Sequence, residues 1–375
     1  MAPAYAVIAG GGTGGHVVPA IAIGRALVAR GHEPETIHFV GSNRGIERRL
    51  VPEAGFPLTV LPGRGIARRL TPGNVLANAG AVLGLASAFV QAVLLLRRLR
   101  PRVVVSVGGY AAAPCALAAV LWRVPLVLHE QNASAGAVHR LVGRFAAVTC
   151  ASYPGTGLPR EVVTGNPVRD EILAVRRTPE ARAQARRRLG LPDGRLVVAA
   201  FGGSLGARRI NEAVAGLVGK WADRAGLAVR HAVGARDWPT FSAGLPVLPP
   251  AGLSYMAVEF EDRMPDLLAA ADVAVCRAGG STVAELAVVG VPTVFVPLPM
   301  APGDHQTKNA AGLVAAGAAV LVPDGDLTAE RLARELDALL ADPDHLATMG
   351  KAAQSVARPD AADLVADQVE QHARG

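Results

Sequence analysis

Cysteine and aromatic residues are scarce in this sequence, and each scarcity excludes a class of protein. The three cysteines are far apart and show no C-x-x-C spacing, which excludes a disulfide framework and a cysteine-based zinc site. Aromatic residues make up only 4% of the chain and no base-reading motif is present, so nucleic acid is not a predicted partner. No basic segment precedes the first apolar residues, so no secretory signal is predicted. The expected compartment is a reducing cytoplasm.

Lysine is missing from the first 167 residues, yet this part carries all of the excess positive charge. It has 16 arginines against 6 glutamates, a balance of +10, whereas the remainder has 22 basic and 25 acidic residues, a balance of −3. Positive charge concentrated in one part of a protein favours an anionic partner. Because nucleic acid is disfavoured, we predict an anionic membrane surface as that partner.

One uncharged run raises the question of a membrane-spanning helix. Residues 79–96 lack charge, but these 18 residues are near the lower limit for spanning and include Ser87 and Gln91. A helix of the first domain is therefore the favoured interpretation. Its apolar face either packs on a sheet or forms a lipid-binding patch ringed by arginines, and the sequence leaves both open. The patch would comprise Leu76, Leu83, Phe89, Arg68 and Arg69.

Length and composition indicate an α/β protein of two domains. A chain of 375 residues exceeds what one hydrophobic core serves, and 51% apolar with 18% charged residues is typical of globular proteins. Strand-like apolar runs alternate with helix-length segments, which is typical of parallel sheets covered by helices. The glycine and proline at 165–167 mark a boundary between domains at 1–167 and 168–357. Strands are predicted at 5–9, 36–40, 103–107, 126–129 and 147–150, and then at 197–201, 228–231, 255–260, 273–276, 293–296 and 319–321.

Two glycine-rich turns, at residues 9–16 and 201–207, each follow a strand-like run. Such a turn brings the backbone close to a ligand and directs the start of the next helix toward a phosphate, so both halves are Rossmann-like. The first turn contains G-x-G-x-x-G, but no acidic residue ends the next strand, where Val40 runs into Gly41 and Ser42. A dinucleotide enzyme is therefore disfavoured. Neither turn continues into G-K-[ST], which excludes a P-loop.

A metal-assisted reaction would need a cluster of acidic ligands. The only D-x-D motif, at 324–326, stands before the helix-favouring residues 327–330 and is typical of a turn followed by a cap. It does not resemble a phosphate-bridging magnesium site. The sequence therefore predicts no essential metal and no required cofactor.

Short motifs along nearly the whole chain resemble, in their order, the MurG family of membrane-associated glycosyltransferases. The resemblance implies the GT-B fold, in which two Rossmann-like domains face each other across a cleft. It also implies that a last helix, at about 358–375, returns to the first domain. The motifs are GGTGGH at 11–16, GGY at 108–110, HEQN at 129–132, GNPVR at 165–169, GGS at 202–204, CRAGGST at 276–282 with Glu285, and HQ at 305–306 with NA at 309–310.

The resemblance also implies an activity in peptidoglycan synthesis. It is the inverting transfer of N-acetylglucosamine from the substrate UDP-N-acetylglucosamine to the 4-hydroxyl of the muramyl sugar of lipid-linked muramyl-pentapeptide. A peripheral protein on the cytoplasmic face of the cell membrane would catalyse it, with other cell-wall synthesis proteins as further partners. Three alternatives stay open: a UDP-N-acetylglucosamine 2-epimerase, a glycosyltransferase for another lipid or a natural product, and a nucleotide-binding protein without enzymatic activity.

The family's donor-binding residues match positions in this chain. Gly203 and Ser204 suit the diphosphate, because donors at a helix start stabilise its developing negative charge. Phe260 and the backbone of Glu261 match the uracil pocket, although Phe260 alone would be interpreted as core. Glu285 matches a ribose-binding glutamate, although it also completes a T-x-x-E capping-box pattern. The resemblance adds Thr13, Gly14, Gly15, Asn132, Arg169, Ser281, Thr282 and Gln306 to the donor site.

His16 is the candidate general base for the acceptor. An imidazole titrates near neutral pH and could take the proton of the attacking hydroxyl, although orienting the acceptor diphosphate is another role open to it. Glu130 is the alternative base. The resemblance places the acceptor diphosphate in the arginine-rich first domain, at Thr13, Gly14, Gly15, His16 and Tyr110.

Overall fold

The chain forms two compact units. The computed structural model describes residues 3–43, 45–62, 72–203 and 206–375, and for 72–83 the backbone only. The first unit is Met1–Arg169 together with Arg358–Gly375, and the second is Asp170–Ala357. The first boundary thus falls two residues after the one expected from the sequence, and the last 18 residues belong to the first unit.

The strands of the described chain are short and mostly apolar. In chain order they are β1 (Ala6–Ala9), β2 (Ile37–Ser42), β3 (Leu58–Leu61), β4 (Val103–Ser106), β5 (Leu126–Glu130), β6 (Val148–Ala151), β7 (Glu161–Val163), β8 (Leu196–Phe201), β9 (Leu227–Ala232), β10 (Ser254–Val258), β11 (Val273–Cys276), β12 (Thr293–Phe295) and β13 (Ala319–Leu321).

Helices connect these strands, and several begin at a side-chain cap. Thr178, Thr328 and Asp342 each accept a hydrogen bond from the backbone N–H three residues further on, which satisfies a donor that the helix leaves unpaired. The α-helices are α1 (Gly14–Ala29), α2 (Glu47–Glu53), α3 (Pro72–Leu99), α4 (Ala112–Leu121), α5 (Ala137–Val142), α6 (Asp170–Leu173), α7 (Pro179–Arg188), α8 (Arg208–Lys220), α9 (Trp238–Ser242), α10 (Met264–Ala270), α11 (Gly280–Val289), α12 (His305–Ala315), α13 (Ala329–Leu340), α14 (Pro343–Ser355) and α15 (Ala361–His372).

The sheet of the first unit is parallel, and its five central strands are buried on both faces. Its strand order is β3-β2-β1-β4-β5-β6-β7, so the direction of winding reverses between β1 and β4. Alternate residues of one strand serve different cores: Val7 packs with α3 and α4, whereas Ile8 packs with α1 and α15. Burial on both faces explains the nearly continuous apolar runs in these strands.

The last helix, α15, packs on α1. Val365, Ala366 and Val369 are buried in the core that α1 also lines. The Glu370 carboxylate accepts hydrogen bonds from Arg30 at 3.0 Å and from Nε2 of His32 at 2.9 Å. Apolar burial and ion pairs therefore attach the end of the chain to the first unit.

The second unit repeats this architecture around a separate core. Its sheet has the order β10-β9-β8-β11-β12-β13, all pairs are parallel, and the winding reverses between β8 and β11. A core cluster of this unit combines strand residues with residues of α8, α13 and α14. Two parallel sheets covered by helices confirm the predicted α/β fold class of two Rossmann-like domains.

Sequence patterns missed two strands, β3 and β7, which are the edges of the first sheet. Most of their residues are partly buried or exposed, so neither segment has the continuous apolar run by which a central strand is found.

No described helix is both long and apolar enough to cross a membrane. Of the patch expected around residues 79–96, Phe89 is half-buried and packs against the core shared with α4, which supports the packing interpretation at this position. The other members, Leu76, Leu83, Arg68 and Arg69, lie outside the residues whose side chains are described.

Candidate active site

Predicted site residues lie at the carboxyl ends of the strands in both units. In a parallel α/β sheet, ligands bind beside these ends at the point where the winding reverses. That point lies between β1 and β4 in the first unit and between β8 and β11 in the second. His16 follows β1, and Gly202 and Gly203 follow β8. Each unit therefore has predicted residues at its reversal point.

The His16 imidazole, in the first turn of α1, is held by residues that follow β4 and β5. Its Nδ1 lies 2.9 Å from the carbonyl oxygen of Val107 and 3.2 Å from Oε1 of Gln131. Both partners are acceptors, so Nδ1 carries the hydrogen and Nε2 carries the lone pair of the neutral ring. Burial lowers the pKa of His16, while the charge of Glu130 opposes this shift. The ring is neutral at pH 7 and Nε2 can accept a proton.

The orientation of the Gln131 side-chain amide is fixed by its own hydrogen bonds. Its Nε2 donates to the carbonyl oxygens of Val107 at 2.6 Å and His129 at 3.2 Å, which turns Oε1 toward His16. Burial lowers the pKa of His129 to about 4, so its ring is also neutral at pH 7. Gln131 was not among the predicted site residues, although its place inside the HEQN motif was a signal that could have found it.

Gly108 and Gly109 pack against the His16 ring. Both have left-handed backbone conformations, with φ of 83° and 78°, which glycine adopts without strain. A Cβ on Gly109 would lie 2.6 Å from the carbonyl oxygen of Gly11 and 3.1 Å from Cδ2 of His16. The GGY motif therefore leaves the space that the imidazole occupies.

Glu130, the alternative base, is 2% exposed and its carboxylate is fully engaged. It accepts hydrogen bonds from Nδ1 of His139 at 2.8 Å and from the backbone N–H groups of Gly136 at 2.9 Å and Asn132 at 3.1 Å. Burial raises the pKa of Glu130, but the hydrogen bond and charge of His139 and the two backbone donors outweigh it and bring the pKa to about 2. Such a carboxylate holds its own loop together and is a weak base at pH 7.

The remaining predicted residues of the first unit lie on the same edge of the sheet. Thr13 is the N-cap of α1 and its carbonyl oxygen accepts from the backbone N–H of His16 at 3.1 Å. Gly14 and Gly15 are the first residues of α1, where the helix dipole favours an anion. Tyr110 follows β4 and Asn132 follows β5, whereas Arg169 is the last residue before the second unit.

The second glycine turn is shaped by close packing. A Cβ on Gly202 would overlap the backbone of Ala207, and one on Gly206 would overlap the carbonyl oxygen of Val233. Gly203 has a φ of 84°, which favours glycine, and it is exposed. Ser204 lies outside the described residues.

Ser281, Thr282 and Glu285 lie on the first two turns of α11, directly after β11. The helix begins at Gly280 and its N-cap is Gly279, so Thr282 is the third helical residue. The capping-box interpretation of Glu285 is therefore wrong, because a capping box needs the threonine at the N-cap. Ser281 and Glu285 are four residues apart, share one helix face and are partly buried.

Phe260 and Glu261 follow β10. Phe260 is 54% exposed, so the interpretation of this residue as core is wrong. Glu261 is 5% exposed, and its carboxylate accepts from Nε of Arg230 at 2.7 Å and from the backbone N–H of Arg263 at 3.0 Å. The Phe260 ring is thus exposed to solvent, whereas the neighbouring Glu261 side chain is buried and hydrogen-bonded within the second unit.

Gln306 and Asn309 lie on α12 and connect it to neighbouring loops. The Gln306 side-chain oxygen accepts from the backbone N–H of Leu298 at 2.9 Å. The Asn309 amide donates to the carbonyl oxygen of Ala278 at 3.0 Å, which ties α12 to the loop before α11. These bonds place Gln306 at the same edge of the sheet as Ser281 and Glu285.

The D-x-D motif forms a 3-10 turn, Asp324–Asp326, as the sequence predicts. The Asp324 carboxylate accepts from Nη1 of Arg277 at 2.6 Å. Arg277 also donates to the carbonyl oxygens of Val296 and Pro297. Among the described residues, no group of three or more histidine, cysteine or acidic side chains is placed to hold a metal ion.

A buried polar network beneath the second turn was not predicted. Nε2 of His231 lies 3.0 Å from Oδ1 of Asn211, and its Nδ1 lies 3.0 Å from the hydroxyl of Tyr255. The Asn211 amide nitrogen donates to the Val233 carbonyl and to Asp237, both at 3.0 Å. Burial lowers the pKa of His231 to about 4, so the imidazole in this network is neutral at pH 7. No local pattern marks these residues, because they meet only in the folded unit.

Both halves of the chain match domains of one glycosyltransferase family. Residues 6–150 match the glycosyltransferase family 28 N-terminal domain, and residues 197–365 match its C-terminal domain. The UDP-N-acetylglucosamine–N-acetylmuramyl-(pentapeptide) pyrophosphoryl-undecaprenol N-acetylglucosamine transferase of Alkalilimnicola ehrlichii is 44% identical, over 96% of each chain. The protein of that name from Desulforudis audaxviator is 39% identical, over 97% of each chain. The crystal structure of Acinetobacter baumannii MurG has a TM-score of 0.73 at 30% identity, over 98% of this chain and 100% of that one.

Proposed function

Since this chain belongs to the MurG family within glycosyltransferase family 28, we propose how its two units share one transfer reaction. The protein is a hexosyltransferase that moves N-acetylglucosamine from UDP-N-acetylglucosamine to lipid-linked muramyl-pentapeptide. In our proposal the second unit binds the UDP carrier. The first unit supplies the general base and the site for the acceptor diphosphate.

His16 acts as the base in this proposal. The muramyl 4-hydroxyl gives its proton to Nε2 of His16 while its oxygen attacks the anomeric carbon of the donor sugar. The bond from that carbon to the diphosphate breaks, and UDP leaves with the electron pair. Attack opposite the leaving group inverts the anomeric centre. The observation that carries the assignment is the pair of acceptors on Nδ1, because it leaves Nε2 unprotonated in the neutral ring.

The donor site in this proposal lies at the reversal point of the second sheet. Gly203 and the start of α8 face the diphosphate, where N–H donors stabilise the charge that develops as UDP leaves. Glu285 takes the ribose hydroxyls, and the exposed ring of Phe260 covers the uracil. Gln306 holds hydroxyls of the sugar. Ser281, Thr282 and, from the first unit, Asn132 and Arg169 complete the proposed set, together with Ser204.

The acceptor is attached to a lipid, and we propose that the first unit binds the cytoplasmic face of the membrane peripherally. Four exposed apolar side chains of α3 and the end of α4 support this, and we call them the α3–α4 patch. Val90 and Leu94 share one face of α3 with the exposed Arg97 and Arg98. Exposed apolar side chains beside arginines match an anionic lipid surface. The α3–α4 patch consists of Val90, Leu94, Leu121 and Trp122, which are 56%, 58%, 58% and 41% exposed.

Replacing two members of the α3–α4 patch by acidic residues tests the membrane proposal. We expect Leu94→Glu with Leu121→Glu to weaken binding to phosphatidylglycerol vesicles by about tenfold or more, because apolar burial is lost and like charge is added. Vesicle co-sedimentation measures the change. Val247→Glu, at a fully exposed apolar position of the second unit, is the matched control and should bind as the wild type does. Equal binding by all three proteins would contradict the proposal.

Dependence on the lipid acceptor tests the proposed reaction. We expect UDP release from UDP-N-acetylglucosamine only when lipid-linked muramyl-pentapeptide is added, because the hydroxyl that displaces UDP belongs to it. An epimerase would turn over the donor without acceptor, so equal UDP release in both samples would contradict the transfer mechanism. A chelator should leave the rate unchanged, since we propose no essential metal and Asp324 of the D-x-D motif is bound by Arg277.

A further inference from the structure

A cavity of about 300 Å³ lies in the second unit, away from the proposed donor site. Leu196, the first residue of β8, and Pro292, directly before β12, form part of its wall. They stand at the amino ends of their strands, whereas the proposed donor residues of this unit lie beyond the carboxyl ends. The volume falls within the range of small-molecule sites. The cavity can therefore hold a small ligand at a place separate from the donor.

Helix α14 forms one side of the cavity by packing closely on the end of α11. A Cβ on Gly350 would lie 2.9 Å from the carbonyl oxygen of Gly290, which follows α11. Gly290 has a φ of 75°, and a Cβ there would lie 2.9 Å from the side chain of Gln354. Val289 and Leu346 line the cavity at this contact. Because these walls are apolar, a charge inside the cavity interacts strongly with charged neighbours.

The charged residues that line the cavity are unbalanced. They are three cations, Arg177, Arg182 and Lys351, and a single carboxylate, Asp272. Lys351 lies on α14 and is exposed, so the cavity is open to solvent at this side chain. The lining therefore carries a surplus of two positive charges.

The single carboxylate is already bound by other partners. Oδ1 of Asp272 accepts a hydrogen bond from Arg182. Its Oδ2 accepts from Nη2 of Arg186 at 3.1 Å and from the backbone N–H of Val197 at 2.7 Å. In the part of the chain that the structure describes, no carboxylate forms an ion pair with Arg177 or Lys351. The surplus charge is thus not neutralised within the second unit.

Arg177 is held beside the cavity with donors to spare. Its Nη1 donates to the carbonyl oxygen of Leu268 at 2.8 Å, and a guanidinium has several further N–H donors. Burial, together with the charges of Arg182 and Arg186, lowers the pKa of Arg177 to about 10, although the charge of Asp272 opposes this shift. The guanidinium is therefore charged at pH 7. A buried cation among like charges is costly, and a bound anion would offset this cost.

We propose that this cavity binds a dianionic phosphate group, as orthophosphate or as a small phosphate monoester. The surplus of two positive charges matches a dianion, and guanidinium groups donate paired hydrogen bonds that fit phosphate oxygens. The phosphodiester headgroup of a lipid carries a single negative charge and matches this surplus less well. None of the lining residues belongs to the proposed donor or acceptor sites, so the proposal does not depend on the transfer reaction.

Orthophosphate binding to variants of the cavity tests the proposal. Orthophosphate is titrated calorimetrically into UDP-saturated wild type, Arg177→Gln, Lys351→Gln and Arg334→Gln. We expect each of the first two substitutions to raise the Kd by about tenfold or more, the usual effect of losing a charge-assisted hydrogen bond. Arg334→Gln removes an exposed arginine from α13 of the same unit and is the matched control, which should bind as the wild type does. Lys351 is exposed, so its variant keeps the test valid if Arg177→Gln does not fold.

The location of the bound anion separates this cavity from the proposed acceptor site. Crystals of the wild type grown with UDP are soaked in tungstate, a tetrahedral dianion that scatters anomalously, and we expect a peak between Arg177 and Lys351. A wild type that binds no orthophosphate, an equal affinity in all four proteins, or a tungstate peak only in the first unit would each overturn the proposal. None of these results would bear on the transfer reaction, which is tested by UDP release with the lipid acceptor.

Discussion

His16→Ala is expected to lower kcat by about 10²- to 10⁴-fold, the usual contribution of a positioned general base. The acceptor hydroxyl would have to lose its proton to water, because Glu130 has a pKa of about 2 and its oxygens are occupied. Steady-state UDP release with lipid-linked muramyl-pentapeptide measures the effect. His345→Ala, which removes an exposed imidazole from α14, is the control and should retain full activity.

Two further measurements separate a base from an orienting group. UDP-N-acetylglucosamine should bind His16→Ala with unchanged affinity, because His16 is not among the proposed donor-binding residues. Burial lowers the pKa of His16 below its ordinary value, so the wild-type rate should fall only as the pH drops below about 6.5 and the ring becomes protonated. A higher KM for the acceptor with kcat retained would show instead that His16 only orients the diphosphate.

Glu130→Ala is expected to lower the free energy of unfolding by about 3 kcal/mol or more, because each buried donor left without its acceptor costs about 1–3 kcal/mol. The variant leaves His139 and the N–H groups of Gly136 and Asn132 without their acceptor in a buried loop. Urea denaturation followed by circular dichroism measures the change. Glu35→Ala, at an exposed position, is the control and should stay within about 0.5 kcal/mol of the wild type.

The contribution of Glu130 to the free energy of unfolding should also depend on pH, and it should decrease as the pH falls. Its pKa is about 2 in the folded protein, below the ordinary value of 4.5, so folding favours the charged form. The stabilisation is fully present above pH 4.5 and is lost as the pH falls toward 2, so the difference between wild type and Glu130→Ala should shrink in that range. Glu130→Gln separates this role from catalysis: loss of activity without loss of stability would make Glu130 the base.

Periodicity and turn residues in the sequence were enough to predict the central strands and the α/β class. They failed at β3 and β7, because an edge strand is only partly buried and lacks a continuous apolar run. They also misjudged two side chains of the proposed donor site. Phe260 is an apolar aromatic residue, which is typical of a core, but its side chain is exposed. Glu285 completes a T-x-x-E pattern with Thr282, but the helix already begins at Gly280.

Short-range patterns in the sequence therefore determined which segments become the central strands, which turns are glycine-rich and which family the motifs resemble. Each of these depends on residues that are close together along the chain. Only the tertiary structure decided how side chains distant in sequence meet. Nδ1 of His16 contacts Gln131, 115 positions away, and the Glu47 carboxylate reaches Gly12, 35 positions away. The physical reason is that parallel strands bring their carboxyl ends to one edge, where tautomer, charge and access are set by partners that no local pattern specifies.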